Sequence, residues 1–340
     1  MSKNQHKLFI IVTAVLLASC ASEKPNSSTW PTAKPIWPLP PDEPRVAFQQ
    51  IIRQPGDVGI EPSAFRRLSN WVTGERKGRE MLSKPFGIAL DESGNLCLTD
   101  TGVNAVGYLD FAKKKWTYWT SIGRARFVSP VAIAKRAGII YVADSGQRAV
   151  IAFDEKGKLQ FRIAGDLKRP AGLAIAGTRL FVADSELQCV QVFDLKGKPL
   201  LRFGRRGSGP GEFDYPTHVA TDNSGHLLVT DSLNSRVEVF DYDGHFQMEI
   251  GSVGDTAGYF SRPKGVAADS FGHVYVVDAN FDNLQIFDLT GRLLLTLGEA
   301  GADIGQFWMP NGIAISPDNR IFISDCYNQR VQVLKYIGQQ

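Results

Sequence analysis

Pro216-Thr-His-Val-Ala220, the turn Asp222-Asn-Ser-Gly225 and the apolar run Leu227-Leu-Val-Thr-Asp231 together decide the fold of this 340-residue chain. Val, Leu and Thr dominate the two runs, and the segment between them carries the Asp, Asn, Ser and Gly that make tight turns, so the stretch predicts an antiparallel strand pair. The chain then breaks at Asp231-Ser-Leu-Asn-Ser235 and resumes in Val237-Glu-Val-Phe240. A second turn, Asp241-Tyr-Asp-Gly244, leads into Phe246 to Ile250. Four short strands follow one another, and apolar residues at helical spacing are absent across most of the stretch.

The same unit returns along the chain. Its first strand opens as Pro85-Phe-Gly-Ile-Ala, Pro130-Val-Ala-Ile-Ala, Pro170-Ala-Gly-Leu-Ala, Pro216-Thr-His-Val-Ala, Pro263-Lys-Gly-Val-Ala and Pro310-Asn-Gly-Ile-Ala. Its second strand ends at Asp100, Asp144, Asp184, Asp231, Asp278 and Asp325, spaced by 44, 40, 47, 47 and 47 residues. A period of this size with four short apolar runs per repeat predicts an all-β fold, a six-bladed β-propeller, in which no repeat buries its own faces until its neighbours stack on it. The last repeat stops after its third strand, Arg330 to Lys335. Near the start, Arg45-Val-Ala-Phe-Gln-Gln-Ile-Ile52 has the character of a missing fourth strand. It is followed by Gly56…Gly59…Phe65, at the offsets of Gly204…Gly207…Phe213, Gly251…Gly254…Phe260 and Gly298…Gly301…Phe307 after the true fourth strands. The N-terminal strand is therefore expected to complete the last blade and hide two open sheet edges.

These residues resemble the NHL repeat family of six-bladed propellers, whose consensus pairs Pro-x-Gly-Ile-Ala with Val-Ala-Asp-Ser-x-Asn-x-Arg-Ile-Gln-Val-Phe; the resemblance runs over residues 45–340. The Asn and Arg positions agree fully only as Asn234 with Arg236 and Asn328 with Arg330. The same places hold Val103 and Ala105, Gln147 and Ala149, Leu187 and Cys189, and Phe281 and Asn283 elsewhere, which argues against a function needing the basic residue in every blade. The Trp-Asp dipeptide of WD40 propellers is absent.

Residues 1–19 read as a targeting segment. Lys3 and Lys7 precede the apolar stretch Leu8 to Ala18, too short to span a bilayer as a mature helix. Leu17-Ala-Ser-Cys20 resembles a bacterial lipobox, which implies that Cys20 receives lipid and becomes the mature N-terminus. Ala21 stands where an inner-membrane retention signal would have Asp, so the expected location is the cell envelope, at the outer membrane facing the periplasm in a two-membrane cell. Residues 20–44 carry seven prolines between Ala21 and Pro44 and are expected to form an extended tether, in which Trp30, Trp37 and Leu39 either lie on lipid or pack on the ring.

Composition narrows the function. The formal net charge of +3 falls to +1 once the segment with Lys3 and Lys7 is removed, so general electrostatics make no case for nucleic acid. Cys97, Cys189 and Cys326 fall in different blades without matched spacing and read as small core residues, neither a disulfide framework nor a zinc site. His218 takes the Gly position of Pro-x-Gly, where amidating-lyase propellers resembling this one hold zinc-binding histidines. The equivalent places are Gly87, Ala132, Gly172, Gly265 and Gly312, and one imidazole does not make a catalytic zinc site. His226, His245 and His273 belong to hairpin turns at the far ends of strands. A gluconolactonase-like channel metal would need acidic ligands, but an Asp repeated in every blade is better explained as accepting backbone N–H bonds where strand two turns into strand three. No Gly-x-Ser-x-Gly nucleophile motif occurs, and neither a cofactor nor a metal is expected.

The variable positions lie on one end of the ring, where strand four connects to the next strand one. Arg169, Tyr215, His218, Arg262, Lys264 and Trp308 are the candidate binding residues there, joined by Lys84, Ser129 and Met309. Mixed cations and aromatics around a concave mouth suit an anionic or carbohydrate ligand, or a protein partner with an acidic edge. An insertion at about 66–82, rich in Arg and Lys, adjoins the same end and is either a binding loop or a capping turn. The sequence thus points to a non-catalytic, lipid-anchored binding scaffold, with a channel-metal propeller enzyme of lyase or lactonase type as the alternative.

Overall fold

The second strands are buried along nearly their whole length, which requires both faces to be covered. In the computed structural model, which describes residues 34–61, 81–222 and 224–338, each lies inside a four-stranded antiparallel blade, and six blades form the propeller. The fourth blade shows the pattern, with strands Pro216–Thr221, His226–Asp231, Arg236–Asp241 and Phe246–Ile250. First strands elsewhere begin at Pro85, Pro130, Pro170, Pro263 and Pro310. A short hairpin, Ser121–Ile122 with Ala125–Arg126, joins the first two blades. The cores sit between blades. Phe181 and Val192 of the third blade, for example, pack against Leu227 and Phe240 of the fourth, and Phe213 in the connection fills the same layer. Burying each such side chain contributes about 1.5–3 kcal/mol.

Closure occurs in the expected place. Val46–Ile52 pairs antiparallel with Arg330–Tyr336, from Val46 opposite Tyr336 to Ile52 opposite Val331, and becomes the fourth strand of the sixth blade. One element lies upstream of the expected ring boundary at Arg45. Ile36–Trp37 pairs with Ala47 and Val46 as a fifth strand, and the compact unit spans Pro35–Gln340. The backbone explains it: Arg45 N–H donates to the Trp37 carbonyl at 2.7 Å and Phe48 N–H to the Pro35 carbonyl at 2.9 Å, so the outer edge of the closing strand is covered. Trp37 also packs on the core between the fifth and sixth blades, while Leu39 remains exposed. Cys20, Trp30, Phe65 and nearly all of the 66–82 insertion lie outside the described residues. Leu82, at its end, is buried, and its N–H donates to the Arg53 carbonyl at 2.8 Å.

The six strand-end acids are fully buried and act as backbone clamps. Asp278 accepts from Ser261 and Arg262 N–H in the loop leading into strand one, and from Asn280 and Phe281 N–H in the turn leading into strand three. Asp100, Asp144 and Asp184 hold both segments in the same way. Asp231 and Asp325 each accept one lead-in N–H, from Asp214 and Trp308. In those two blades the family Asn and Arg complete the clamp. Arg330, fully buried, bonds Asp325 at 2.7 Å and the carbonyls of Ala302, Asp303 and Gln306 at 2.7–2.8 Å. Arg236 pairs with Asp231, Glu238 and Glu249, and bonds the carbonyls of Gly209 and Glu212. Both guanidiniums are consumed by the scaffold.

Candidate functional site at the channel mouth

The lead-in loops fixed by these clamps surround one end of the central channel. There the first strands begin with a register shift: Pro263 pairs with Asp278 and the next paired residue is Val266, and Pro216 pairs with Asp231 before His218 pairs with Thr230. A bulge at this place re-aims the intervening side chain. The residue after each proline is therefore presented to the mouth, and Phe86, Val131, Ala171, Thr217, Lys264 and Asn311 all line a cavity of about 370 Å³.

Of the candidate residues, Arg169, Tyr215, His218, Arg262 and Lys264 line this cavity. Trp308 does not. It is 55% exposed on the rim and packs on Tyr327, which does line the cavity, with ring centroids 5.4 Å apart. Lys84 also lines the mouth, with its ammonium 4.4 Å from the Tyr327 ring centre and 3.3 Å from the Tyr327 hydroxyl. Arg169 lies over the Tyr215 ring at 5.5 Å. Tyr215 and Met309 hold left-handed backbone, φ 65° and 51°, and their N–H groups are fixed at 2.6 Å by Gln188 Oε1 and Asp282 Oδ1. Such strain persists only where the surroundings over-determine it.

Charge is one-sided here. Lys84, Arg169, Arg262 and Lys264 line the cavity, no carboxylate does, and none of the four has an ion pair among the described residues. The far end of the channel is a cavity of about 380 Å³ in which Lys135 is neutralised by Asp91 at 2.7 Å and by Glu155 at 2.9 Å. Lys264 Nζ donates only to Ser232 Oγ, at 3.0 Å. Its pKa is lowered to about 8, by burial first and then by Arg262, with Asp278 opposing. His218 reaches from the mouth to the channel waist, and burial together with Lys264 holds its pKa at about 3, so the ring is neutral. Among the described residues neither ring nitrogen has a hydrogen-bond partner, and Asn311 is near enough to oppose that shift. Thr217 Oγ1 and Asn311 Oδ1, on side chains 7% and 4% exposed, are likewise unpartnered.

The waist itself is backbone. A Cβ on Gly87, Gly265 or Gly312 would fall on the carbonyl oxygen of Val131, Asn311 or Phe86 in the adjacent blade, so adjacent first strands meet main chain to main chain. His226, His245 and His273 each hold an Asp four residues earlier through Nδ1, in turns away from the mouth. Among the described residues no three His, Cys, Asp or Glu side chains converge as a metal site. Cys97, Cys189 and Cys326 are buried free thiols, and burial lifts the last two to about 11 and about 12.

The NHL repeat family matches residues 307–334, and a family described as a 6-bladed beta-propeller matches residues 165–228. The chain is a six-bladed propeller that carries an NHL repeat. Among solved structures, this propeller is similar to a virginiamycin B lyase from Staphylococcus aureus, with 13% identity over 75% of this chain and 96% of that one and a TM-score of 0.56. It is also similar to a Bacteroides thetaiotaomicron protein of unknown function, with 16% identity, 86% and 75% coverage and a TM-score of 0.61. A chain of a nidogen/laminin complex matches at 17% identity, 69% and 86% coverage and a TM-score of 0.55. At these identities the likeness shows the fold alone. No curated protein matches the sequence.

Proposed function

We propose that this NHL propeller is a binding module of the bacterial envelope, held by lipid on Cys20, whose channel mouth receives an anionic group of a ligand or protein partner. One observation carries the reading: four cations line the mouth with no lining carboxylate or ion pair among the described residues, beside buried polar atoms that no described group satisfies. An unsatisfied buried donor or acceptor costs about 1–3 kcal/mol, a cost that a bound polar group removes. The lipobox-like Leu17-Ala-Ser-Cys20 supports anchoring, and its Ala21 favours the outer membrane where two membranes exist. The nidogen/laminin chain offers a precedent for a ring of this fold in a protein complex.

Thermal unfolding with increasing inorganic phosphate tests the anion site. The native ring should gain stability beyond that of Lys264→Gln, which keeps only the general salt effect, whereas Lys158→Gln on the opposite turns should behave like the native ring. Identical phosphate responses for all three proteins would remove the mouth as an anion site. For anchoring, Cys20→Ser should move the protein from the membrane to the soluble fraction with the ring intact.

A further inference from the structure

The side chains behind the prolines are sorted around the ring. Blades one to three place Phe86, Val131 and Ala171 in the mouth; blades four to six place Thr217, Lys264 and Asn311 there, with His218 beneath them. Blades three apart face each other across a six-fold ring, so Phe86 is opposed to Thr217, Val131 to Lys264 and Ala171 to Asn311. The two cations above the apolar half lean away from it, Lys84 onto Tyr327 of the sixth blade and Arg169 onto Tyr215 of the fourth. At the post-proline positions the mouth is therefore apolar on one side and polar, with a positive charge, on the other.

From this juxtaposition we propose that the mouth binds a small amphiphilic monoanion, a carboxylate on an apolar body, with its head against Lys264, Thr217 and His218 and its body against Phe86, Val131 and Ala171. The inference rests on the anion-binding reading above and adds the ligand class to it. The donors match a carboxylate. Lys264 Nζ has N–H bonds beyond the one given to Ser232, the Thr217 hydroxyl is free to donate, and neutral His218 carries one N–H and one acceptor nitrogen. The opposite post-proline side chains carry no polar atom, and the Ser145 and Ser185 hydroxyls that also line that side already donate to the carbonyls of Pro170 and Arg169, so this wall gains most from an apolar partner. A cavity of about 370 Å³ is of the size that encloses a small ligand. A diffuse polyanion fits less well, because half of the mouth would meet it with hydrocarbon.

The test uses calorimetric titration of the purified protein with acetate, butyrate, hexanoate and octanoate, together with octylamine and inorganic phosphate. Affinity should rise along the carboxylate series, by about fourfold for each methylene that the apolar wall buries. Octylamine, with the same body and the opposite charge, should bind at least about tenfold more weakly than octanoate, the loss expected for one unpaired buried charge. Lys264→Gln should weaken every carboxylate alike, whereas Val131→Thr with Ala171→Ser, which nearly conserves volume, should flatten the chain-length dependence and leave acetate unchanged. If octanoate binds no better than acetate while phosphate still binds, the amphiphilic assignment falls and the anion site stands. If octylamine binds as well as octanoate, both fall. Absence of binding by all the carboxylates also overturns the proposal.

Discussion

Arg330 offers the most direct measurement of what holds the mouth in place. The side chain is 1% exposed and gives four hydrogen bonds of 2.7–2.8 Å, to Asp325 Oδ2 and to the carbonyls of Ala302, Asp303 and Gln306. Arg330→Met keeps much of the volume and removes every donor. Asp325 then stays buried, its charge now opposed by the Trp308, Asn328 and Gln332 donors and by the more distant Arg53, and the lead-in loop of the sixth blade loses its anchor. Removing one partner of a buried pair costs about 3–5 kcal/mol. For a domain of this size each kcal/mol lowers Tm by about 2 °C, so the variant should melt about 6–10 °C below the native protein. Adding Asp325→Asn should recover part of the loss, because the stranded charge goes with it, although the anchors to Trp308 and Asn328 weaken. Arg330→Lys should remain destabilised, since an ammonium cannot span three carbonyls and a carboxylate as a guanidinium does. Differential scanning calorimetry reads all three. A Tm for Arg330→Met within about 2 °C of native would refute the argument that this arginine is a scaffold clamp.

Deleting residues 45–52 should remove the buried side chains of Val46, Phe48 and Ile52 from the sixth blade and cost about 5–9 kcal/mol, seen as a large Tm loss or as insoluble protein. An unchanged melt would show that the strand does not close the ring. Because the folded pKa of Lys264 lies at about 8, below its usual 10.5, the protonated form that attracts an anion is lost as pH rises through about 8. Octanoate affinity should therefore fall about tenfold between pH 7 and pH 9, and Lys264→Arg should flatten that profile; a pH-independent affinity in the native protein contradicts the role given to Lys264. Gly265→Ala should cost about 1–3 kcal/mol, because its Cβ has no space beside the Asn311 carbonyl, and denaturant unfolding at unchanged m-value measures it.

Much of this architecture was legible because it rests on repetition. The Pro-x-Gly motif, the strand-end acids and the unpaired strand at Arg45 to Ile52 appear in phase, and each has one physical role that the neighbouring repeats corroborate. Less legible was whatever depends on a local departure. Ile36–Trp37 sits in a proline-rich stretch whose composition favours an extended linker, and only the exposed edge of Val46–Ile52, a tertiary feature, recruits it as a strand. Trp308, two residues before Pro310, stands among the candidate mouth residues; its side chain packs on Tyr327 at the rim, while Met309 and Asn311 line the cavity. Alternation along a strand does not reveal a bulge, so it does not mark Phe86, Val131, Ala171, Thr217 and Asn311 as cavity lining. A signal was present: this is the one freely variable position inside an otherwise repeated motif, and a variable residue within a conserved geometry is where a ring can differ from blade to blade.

The sixth blade draws its strands from both ends of the chain, with Val46 seated against Tyr336. Synthesis delivers the first of these long before the second, so Val46–Ile52 must wait without its blade until Arg330–Tyr336 has emerged. A chain cut short anywhere before Arg330 cannot become a slightly smaller propeller; it becomes an open arc with two bare edges, a substrate for aggregation or proteolysis. The seam therefore works as a proof of completeness: within this compact unit, only a chain that has reached its final strand can close the ring and shape the mouth.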